Sequence, residues 1–205
     1  MVRIAVLVSG RGSNLQAIIN SIENKKISAV IAVVISDVQN ALALEIAREH
    51  GIKTLFVDPS KFKTREDFDQ NIIEIIKREQ ATLICLAGFM RVLSETFVKQ
   101  FKNRIMNIHP SLLPSFPGLK AQNKALDAGV KFSGCTVHFL DEGIDTGPII
   151  CQAVVPVLDD DTVENLSKRI LKEEHHIYPL AIQAFIEQRL VCIGRKVFWK
   201  NEKNT

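Results

Sequence analysis

Residues 2–15 read VRIAVLVSGRGSNL: a continuous apolar run, then a turn with two glycines, then a Ser-Asn pair. Apolar residues recur at helical spacing over residues 14–23, so this turn joins a buried strand to an amphipathic helix. The alternation continues with strands over 29–35, 54–57 and 82–87 and with helices over 41–50 and 65–78. Buried strands without polar alternation, joined by helices, are typical of a parallel sheet covered on both faces. We therefore predict an α/β fold with an open, mostly parallel sheet and helices on both faces.

The sequence changes character after a fifth strand, which we place over residues 104–108. Three prolines and a glycine fall within residues 110–118, which predicts a long loop to about residue 132 with a short helix near 124–128. Strands over 135–140 and 149–157, a long helix that begins near Asp161 and that Pro179 kinks or divides, and a hairpin over 190–199 complete the chain. No internal repeat or linker is evident, so we predict a single Rossmann-like domain over residues 1–205.

Composition excludes several classes of protein. The chain has 205 residues, 46% of them apolar, and a formal charge of +3, which predicts neither disorder nor nucleic-acid binding. Its apolar runs are strand-sized, well below the roughly 20 residues of a membrane span, and the N-terminus lacks the pattern of a signal peptide. The four widely spaced cysteines predict reduced thiols. We expect a cytoplasmic protein with no membrane or nucleic-acid partner.

The glycine turn at residues 9–15 is the first candidate binding site. Glycines let the backbone approach a ligand closely, and the N–H groups that open a helix favour a phosphate. A dinucleotide-binding fingerprint would need a third glycine where Leu15 stands, and the Gly-Lys-Ser/Thr of a P-loop is absent from the turn. A monophosphate site with side-chain donors from Ser13 and Asn14 remains, against the alternative of a plain tight turn with a helix cap.

Asn107, His109 and Asp145 are the candidate catalytic residues. Asn107 and His109 are two positions apart at the carboxyl end of the fifth strand, so both side chains point to one face of it. An amide can donate to a developing oxyanion, and an imidazole can transfer a proton near neutral pH. Asp145, in a loop between strands, is the candidate carboxylate partner. His138 lies in mid-strand, where we favour a structural histidine.

No metal site is predicted. His175 and His176 are adjacent on the last helix, so their side chains point about 100° apart and make a poor pair of ligands. Neither an HExxH motif nor a Cys/His cluster is present.

With these segments, the chain resembles the phosphoribosylglycinamide formyltransferases, the folate-dependent enzymes of purine synthesis. The matching pieces, in family order, are SGRGSNLQAI at 9–18, LAGFMRVL at 86–93, NIHPSLLPSFPGL at 107–119, GCTVHFLDEGIDTGPII at 134–150 and EHHIYPL at 174–180. The motifs LAGFMR, within 86–93, and NIHPSLLP, within 107–119, are shared with other formyl-folate enzymes, whereas the glycine turn is the signal that is specific for the glycinamide ribonucleotide substrate. The pattern departs at residues 120–124 (KAQNK), where the family commonly carries histidines.

The resemblance implies a role for each matching residue. The ribonucleotide phosphate and ribose would bind Gly12, Ser13, Asn14, Leu171, Lys172, Glu173 and Glu174. The folate would bind Arg65, Met90, Arg91, Val92, Leu93, Asn107, Asp141, Glu142, Gly143, Ile144 and Asp145. The implied organisation is a nucleotide-binding half over about 1–100 and a folate and catalytic half over about 101–190, followed by a hairpin over about 190–200.

The implied reaction is direct formyl transfer from the co-substrate 10-formyltetrahydrofolate to the amine of glycinamide ribonucleotide, through a tetrahedral intermediate and without a metal. Asn107 and a protonated His109 would stabilise the oxyanion, and Asp145 would raise the pKa of His109. We expect a monomer or a weak homodimer.

Three alternatives compete with this interpretation. A hydrolase of the same formyl-folate would carry an extra N-terminal regulatory domain, and methionyl-tRNA formyltransferase would need an additional C-terminal domain. A non-catalytic folate or nucleotide sensor would have no reason to keep Asn107, His109 and Asp145 together.

Overall fold

The computed structural model describes residues 1–200. The described chain divides into two compact units, the first over residues 1–107 and the second from Ile108 onward. Strand pairing is parallel throughout the first unit and mixed in the second. The α/β class with a mostly parallel sheet flanked by helices is confirmed. None of the helices within residues 1–200 is long and apolar enough to cross a membrane.

The first unit alternates strands and helices. Its elements are β1 (Val2–Val8), α1 (Ser13–Glu23), β2 (Ala29–Ser36), α2 (Leu42–Glu49), β3 (Thr54–Phe56), a 3-10 turn (Pro59–Lys61), α3 (Arg65–Arg78), β4 (Leu83–Leu86), α4 (Glu95–Gln100) and β5 (Ile105–His109), which runs into the second unit. The strands lie in the order β3-β2-β1-β4-β5 and all pair in parallel. The chain order therefore reverses direction between β1 and β4, which is where ligands bind in sheets of this kind.

The core of the first unit forms because the strands are apolar on both faces. Residues 4–8 of β1 are fully buried, and the apolar stripe of α3, centred on Phe68, Ile72 and Ile76, packs inward. Most predicted elements lie within two residues of the observed ones. The helix α4 was not predicted, because six residues are too few to show a period. Its N-cap is Ser94, whose Oγ accepts from the Phe97 N–H at 3.3 Å.

The second unit begins with the Pro-rich loop. Its elements are α5 (Ala121–Asp127), β6 (Phe132–Phe139), β7 (Ile149–Pro156), α6 (Val163–Ile186), β8 (Leu190–Ile193) and β9 (Lys196–Trp199). β6 and β7 pair antiparallel, β9 pairs in parallel with β7, and β8 pairs antiparallel with β9, so the closing hairpin is confirmed. The short helix α5 begins three residues before its predicted position, because Lys120 adopts a left-handed conformation (φ 58°) and starts it.

The last helix, α6, begins close to its predicted start and is not divided at Pro179. The helix is continuous through Pro179, which lies buried on its packed face, so the packing of that face outweighs the hydrogen bond that proline removes. Its N-cap is Thr162, whose hydroxyl accepts from the Asn165 N–H at 3.2 Å. Asp161 instead accepts two hydrogen bonds from Arg169, at 2.6 and 2.9 Å, and so lies outside the helix.

Candidate functional site

The glycine turn is held by its contact with α2. Gly12 is the N-cap of α1 with φ +79°, a conformation that favours glycine. A Cβ at Gly12 would lie 2.7 Å from the Cα of Ala43, so a larger residue would collide with the backbone of α2. The Ala43 N–H donates to the Gly10 carbonyl at 3.0 Å and ties the same two segments. The shape of this turn is therefore set by small residues at a close backbone approach.

The start of α1 suits an anion. Among the described residues, no side chain forms a capping hydrogen bond at Gly12, and the first turn contains no acidic residue. The first N–H groups of a helix have no partner within it, and the helix dipole favours negative charge there. Ser13 is half-buried, and Asn14 is only 9% exposed. The turn thus has the chemistry of the predicted phosphate site.

The segment that follows β4 holds four of the residues expected to bind folate. Met90, Arg91 and Val92 are exposed, whereas Leu93 is buried in the core and offers a ligand only its backbone. The guanidinium of Arg91 lies 5.0 Å from the ring centroid of Phe68 on α3, a cation–π contact.

A second contact from α3 holds the end of that segment. The buried carboxylate of Asp69 accepts a hydrogen bond from the Ser94 N–H. Burial is the main influence on Asp69 and raises its pKa, although the hydrogen bonds from Ser94 lower it in part. Sequence reasoning did not identify Asp69, because nothing in the α3 pattern distinguishes it from a solvated carboxylate. Arg65, one turn earlier, is exposed and lies 3.2 Å from Glu66.

Asn107 and His109 occupy alternate positions of β5. The β4–β5 register pairs Asn107 with Leu86, near the carboxyl ends of both strands. Asn107 is half-buried, and His109 is 6% exposed. The two side chains therefore share a face of β5, as their spacing predicts.

His109 lies between two acceptors in the second unit. Its Nδ1 is 3.3 Å from Oδ2 of Asp145, and its Nε2 is 3.0 Å from the carbonyl oxygen of Phe116. A carbonyl only accepts, so Nε2 carries a proton and donates it. The Gly118 N–H donates to the same Asp145 oxygen at 2.8 Å. The structure thus brings together the predicted His109–Asp145 pair and links both residues to the Pro-rich loop.

His138, for which the sequence favours a structural role, also belongs to this cluster. It is 1% exposed, and its Nδ1 bonds the Phe139 carbonyl at 2.9 Å, as in a structural histidine. Its Nε2, however, lies 3.6 Å from Oδ1 of Asp145. The alternation of β6 shows only that His138 is buried, and a contact with a loop seven residues later has no signal in that pattern.

The pKa of Asp145 reflects these partners. Burial is the largest single influence and raises it, but the hydrogen bonds from His138 and Gly118 and the charges of both histidines outweigh burial. The pKa falls to about 2, so Asp145 is a carboxylate at all ordinary pH values.

The pKa of His109 shifts in the opposite direction to the prediction. Burial is its largest influence and lowers the pKa below the ordinary 6.5. The Phe116 carbonyl and the Asp145 carboxylate both raise it, but they do not overcome burial, and His138 and Lys124 lower it further. The expected effect of Asp145 on the His109 pKa is therefore present, but in this structure burial outweighs it.

The Asp145 loop is ordered by its own side chains. Oδ1 of Asp141 accepts from the Gly143 N–H at 3.1 Å and from the Thr146 hydroxyl at 2.6 Å. Asp145 itself adopts φ 53°, and the Arg195 guanidinium donates to the Thr146 carbonyl at 2.8 Å. The remaining members, Glu142, Gly143 and Ile144, are exposed.

The Pro-rich loop is tied to β6 and β7. The Thr136 hydroxyl accepts from the Leu113 N–H at 3.0 Å and donates to the Ser111 carbonyl at 2.7 Å. Gln152 donates to the Leu113 carbonyl at 2.9 Å. Lys124, in the stretch that departs from the family pattern, donates to the Pro117 carbonyl at 2.7 Å. The loop therefore has a defined path over His109.

The four candidate residues on α6 do not share a face. Glu174 is 7% exposed, Leu171 and Glu173 are half-buried and Lys172 is exposed. Leu171 and Glu174 are three residues apart and lie on one side of the helix, whereas Lys172 lies on another. The pKa of the neighbouring His175 is lowered by burial. Across residues 1–200, no group of three or more His, Cys, Asp or Glu side chains is arranged to hold a metal ion.

Comparison with known proteins identifies relatives over most of the chain. The family model described as "Formyl transferase" matches residues 2–182. Phosphoribosylglycinamide formyltransferase of Escherichia coli (strain K12) is 44% identical over 91% of this chain and 88% of its own length. Trifunctional purine biosynthetic protein adenosine-3 of Drosophila melanogaster is 49% identical over 90% of this chain, which spans only 14% of that relative. The crystal structure of glycinamide ribonucleotide transformylase 1 from Symbiobacterium toebii matches with a TM-score of 0.97 and 52% identity, covering 98% of this chain and 95% of that one.

Proposed function

The chain belongs to the formyl transferase family, and from that premise we propose that it transfers the formyl group of 10-formyltetrahydrofolate to the amine of glycinamide ribonucleotide in purine biosynthesis. The observation that carries the proposal is the pair formed by the buried His109 and the half-buried Asp145, with Nδ1 and Oδ2 at 3.3 Å, on a chain of this family. A histidine whose pKa is lowered by burial is neutral at neutral pH and can accept a proton.

The proposed reaction begins with attack of the ribonucleotide amine on the formyl carbon. The new carbon–nitrogen bond gives a tetrahedral intermediate whose negative oxygen accepts a hydrogen bond from the Asn107 amide. His109 takes the proton that the attacking amine loses. For this step, the neutral ring carries its proton on Nδ1, which faces Asp145, so that Nε2 leaves the Phe116 carbonyl and accepts the proton of the substrate.

Asp145 acts on the charged form of His109. Once protonated, the imidazolium faces a carboxylate whose pKa of about 2 keeps it ionised. His109 then gives the proton to the folate nitrogen, the bond from that nitrogen to the formyl carbon breaks, and tetrahydrofolate and the formylated ribonucleotide leave. Protons and bonds balance without a metal or a covalent enzyme intermediate.

The remaining site residues are proposed as substrate contacts. Gly12, Ser13 and Asn14 bind the phosphate and ribose, a role that the open N-terminus of α1 supports. The segment from Met90 to Leu93 binds folate, with Leu93 contributing its backbone alone. Further contacts are proposed for Arg65 and residues 141–145 with folate, for Asn107 with its formyl group, and for residues 171–174 with the ribonucleotide.

The wider assignments are also proposals. We propose that the chain works in the cytoplasm, as a monomer or a weak homodimer, with no nucleic-acid partner. We keep the proposal of one functional domain with a nucleotide-binding half, a folate and catalytic half and a closing hairpin.

The test mixes the protein with both substrates and follows both products by mass spectrometry, with a control that lacks the ribonucleotide. Formylated ribonucleotide and tetrahydrofolate should appear together, in equal amounts. Formate released equally without the ribonucleotide would identify a hydrolase, and binding of either compound without any product would identify a sensor.

A further inference from the structure

Three hydrogen bonds meet at Ser9, the residue that follows β1 and begins the glycine turn. Its N–H donates to the Gly88 carbonyl at 3.1 Å, and its hydroxyl accepts from the Met90 N–H at 2.9 Å. The same hydroxyl donates to Oδ1 of Asp37 at 2.6 Å. Ser9 therefore joins the glycine turn to the segment that follows β4, and Asp37 is its third partner.

These partners come from three neighbouring strand ends. Asp37 follows β2, Ser9 follows β1, and Met90 lies just after β4, in a sheet where β2, β1 and β4 are adjacent. The chain order reverses between β1 and β4. Ser9 therefore bridges the point at which a sheet of this type binds its ligands.

The Asp37 carboxylate orients the bridge. A serine hydroxyl has one proton, and the short bond to Asp37 uses it. The oxygen lone pairs are then directed to the Met90 N–H. A carboxylate acceptor strengthens this donor–acceptor chain, because an ionised partner forms the stronger hydrogen bond.

The bridge matters because the segment it holds is otherwise exposed. Met90 is 68% exposed, and Val92 is 54% exposed. The far end of the segment is held by Asp69 through the Ser94 N–H and by Arg91 over the Phe68 ring. The Ser9 hydroxyl is the matching anchor at the near end.

We propose that Ser9, oriented by Asp37, is a positioning residue shared by both substrates. It fixes the backbone of Met90 for folate while holding the glycine turn for the ribonucleotide phosphate. This inference rests on the proposed function. It predicts that loss of one hydroxyl weakens the use of two chemically unrelated substrates.

The experiment compares Ser9→Ala with Asp37→Asn, Asp37→Ala and a matched control, Ser60→Ala. Ser60 also donates its hydroxyl to an aspartate, Asp58, at 2.7 Å, but at the surface of the 3-10 turn. Ser9→Ala should raise KM for both substrates about tenfold, with kcat changed less than threefold, since one hydrogen bond to a charged partner is lost. Asp37→Asn keeps a hydrogen-bond acceptor for Ser9, so its KM values should stay close to those of wild type. The KM values of Asp37→Ala should lie between those of wild type and Ser9→Ala, and those of Ser60→Ala should equal the wild-type values. A rise in one KM only, or a lower Tm with both KM values unchanged, would overturn the proposal.

A measurement without substrate separates this inference from the proposed function. Hydrogen exchange of the Met90 amide, followed by NMR on the free protein, should be about tenfold faster in Ser9→Ala than in wild type and in Ser60→Ala. Unchanged exchange would refute the bridge even in an active enzyme. Faster exchange in a protein with no transferase activity would refute the proposed function and the shared substrate role but leave the anchoring of Met90 in place.

Discussion

The glycine turn and the His109 cluster are built by opposite means. The turn consists of small residues whose backbone is pressed against α2, and within the described residues α1 has no side-chain cap. The cluster consists of ionisable side chains: two buried histidines, His109 and His138, contact the half-buried Asp145 at 3.3 and 3.6 Å. The structure of the glycine turn therefore depends on side-chain volume, and that of the His109 cluster depends on charge.

This difference predicts which substitutions each region tolerates. A turn that binds through backbone N–H groups should accept changes of polarity but not an added Cβ at a close approach. A cluster of charges in a buried site should be sensitive to changes of protonation that leave volume almost unchanged. The turn can therefore be tested with a substitution that changes volume but not charge, and the cluster with one that changes charge but hardly changes volume.

The largest expected effect is on turnover. His109→Asn keeps a polar side chain but removes the group that carries a proton, so kcat should fall about 10³-fold with KM values changed little. The measurement is steady-state kinetics with both substrates. His50→Asn is the control, because His50 also pairs with a carboxylate, Glu23, at 2.7 Å, but at the surface. A fall of less than tenfold in His109→Asn would remove the proposed proton transfer.

At the glycine turn, an added side-chain volume should lower the stability of the fold. Gly12→Ala places a Cβ 2.7 Å from the Ala43 Cα at a positive φ, so the free energy of unfolding should fall by about 3 kcal/mol. KM for the ribonucleotide should also rise. Gly10→Ala is the matched control, because a Cβ there meets no atom within 4 Å. Equal stability of the two variants in urea titrations would show that the close approach to α2 does not define the turn.

Local features of the sequence were sufficient to predict the first region. The apolar run of β1, the glycines and the period of α1 lie within about twenty residues, and each indicates its own structure. The alternate placement of Asn107 and His109 likewise follows from strand geometry. These predictions succeed because neighbouring residues determine them.

Features that depend on distant contacts could not be predicted in this way. The Asp69–Ser94 contact spans 25 residues and secures the N-terminus of α4, a helix too short to show a period. The contact of His138 with Asp145 joins a strand to a loop. The pKa of His109 depends on how completely the site is desolvated, and a sequence motif carries no measure of that.

The negative charge of Asp145 should contribute to the free energy of unfolding of the protein. Its pKa is about 2 in the folded protein against 3.8 as the ordinary value, so its ionised form stabilises the fold above pH 3.8. Asp145→Asn should therefore lower the free energy of unfolding by about 2 kcal/mol at pH 7. This difference should shrink as the pH falls from 3.8 towards 2, where wild type becomes protonated. Asp159→Asn, which removes an exposed carboxylate, should change little. A pH-independent difference for Asp145→Asn would assign the loss to packing.

The smallest effect concerns the pH profile of the reaction. Whether kcat/KM decreases at low or at high pH shows whether neutral or protonated His109 is the active form. Because burial lowers the pKa of His109 below 6.5, the neutral base is the main form at pH 7. In wild type, kcat/KM should be constant from pH 7 to 8 and decrease only at pH values below 6.5. Asp145→Asn removes a carboxylate that raises the His109 pKa, so its acidic limb should lie at still lower pH. A profile that instead decreases as pH rises above 7 would show that protonated His109 is the active form, and that the carboxylate outweighs desolvation in the free enzyme.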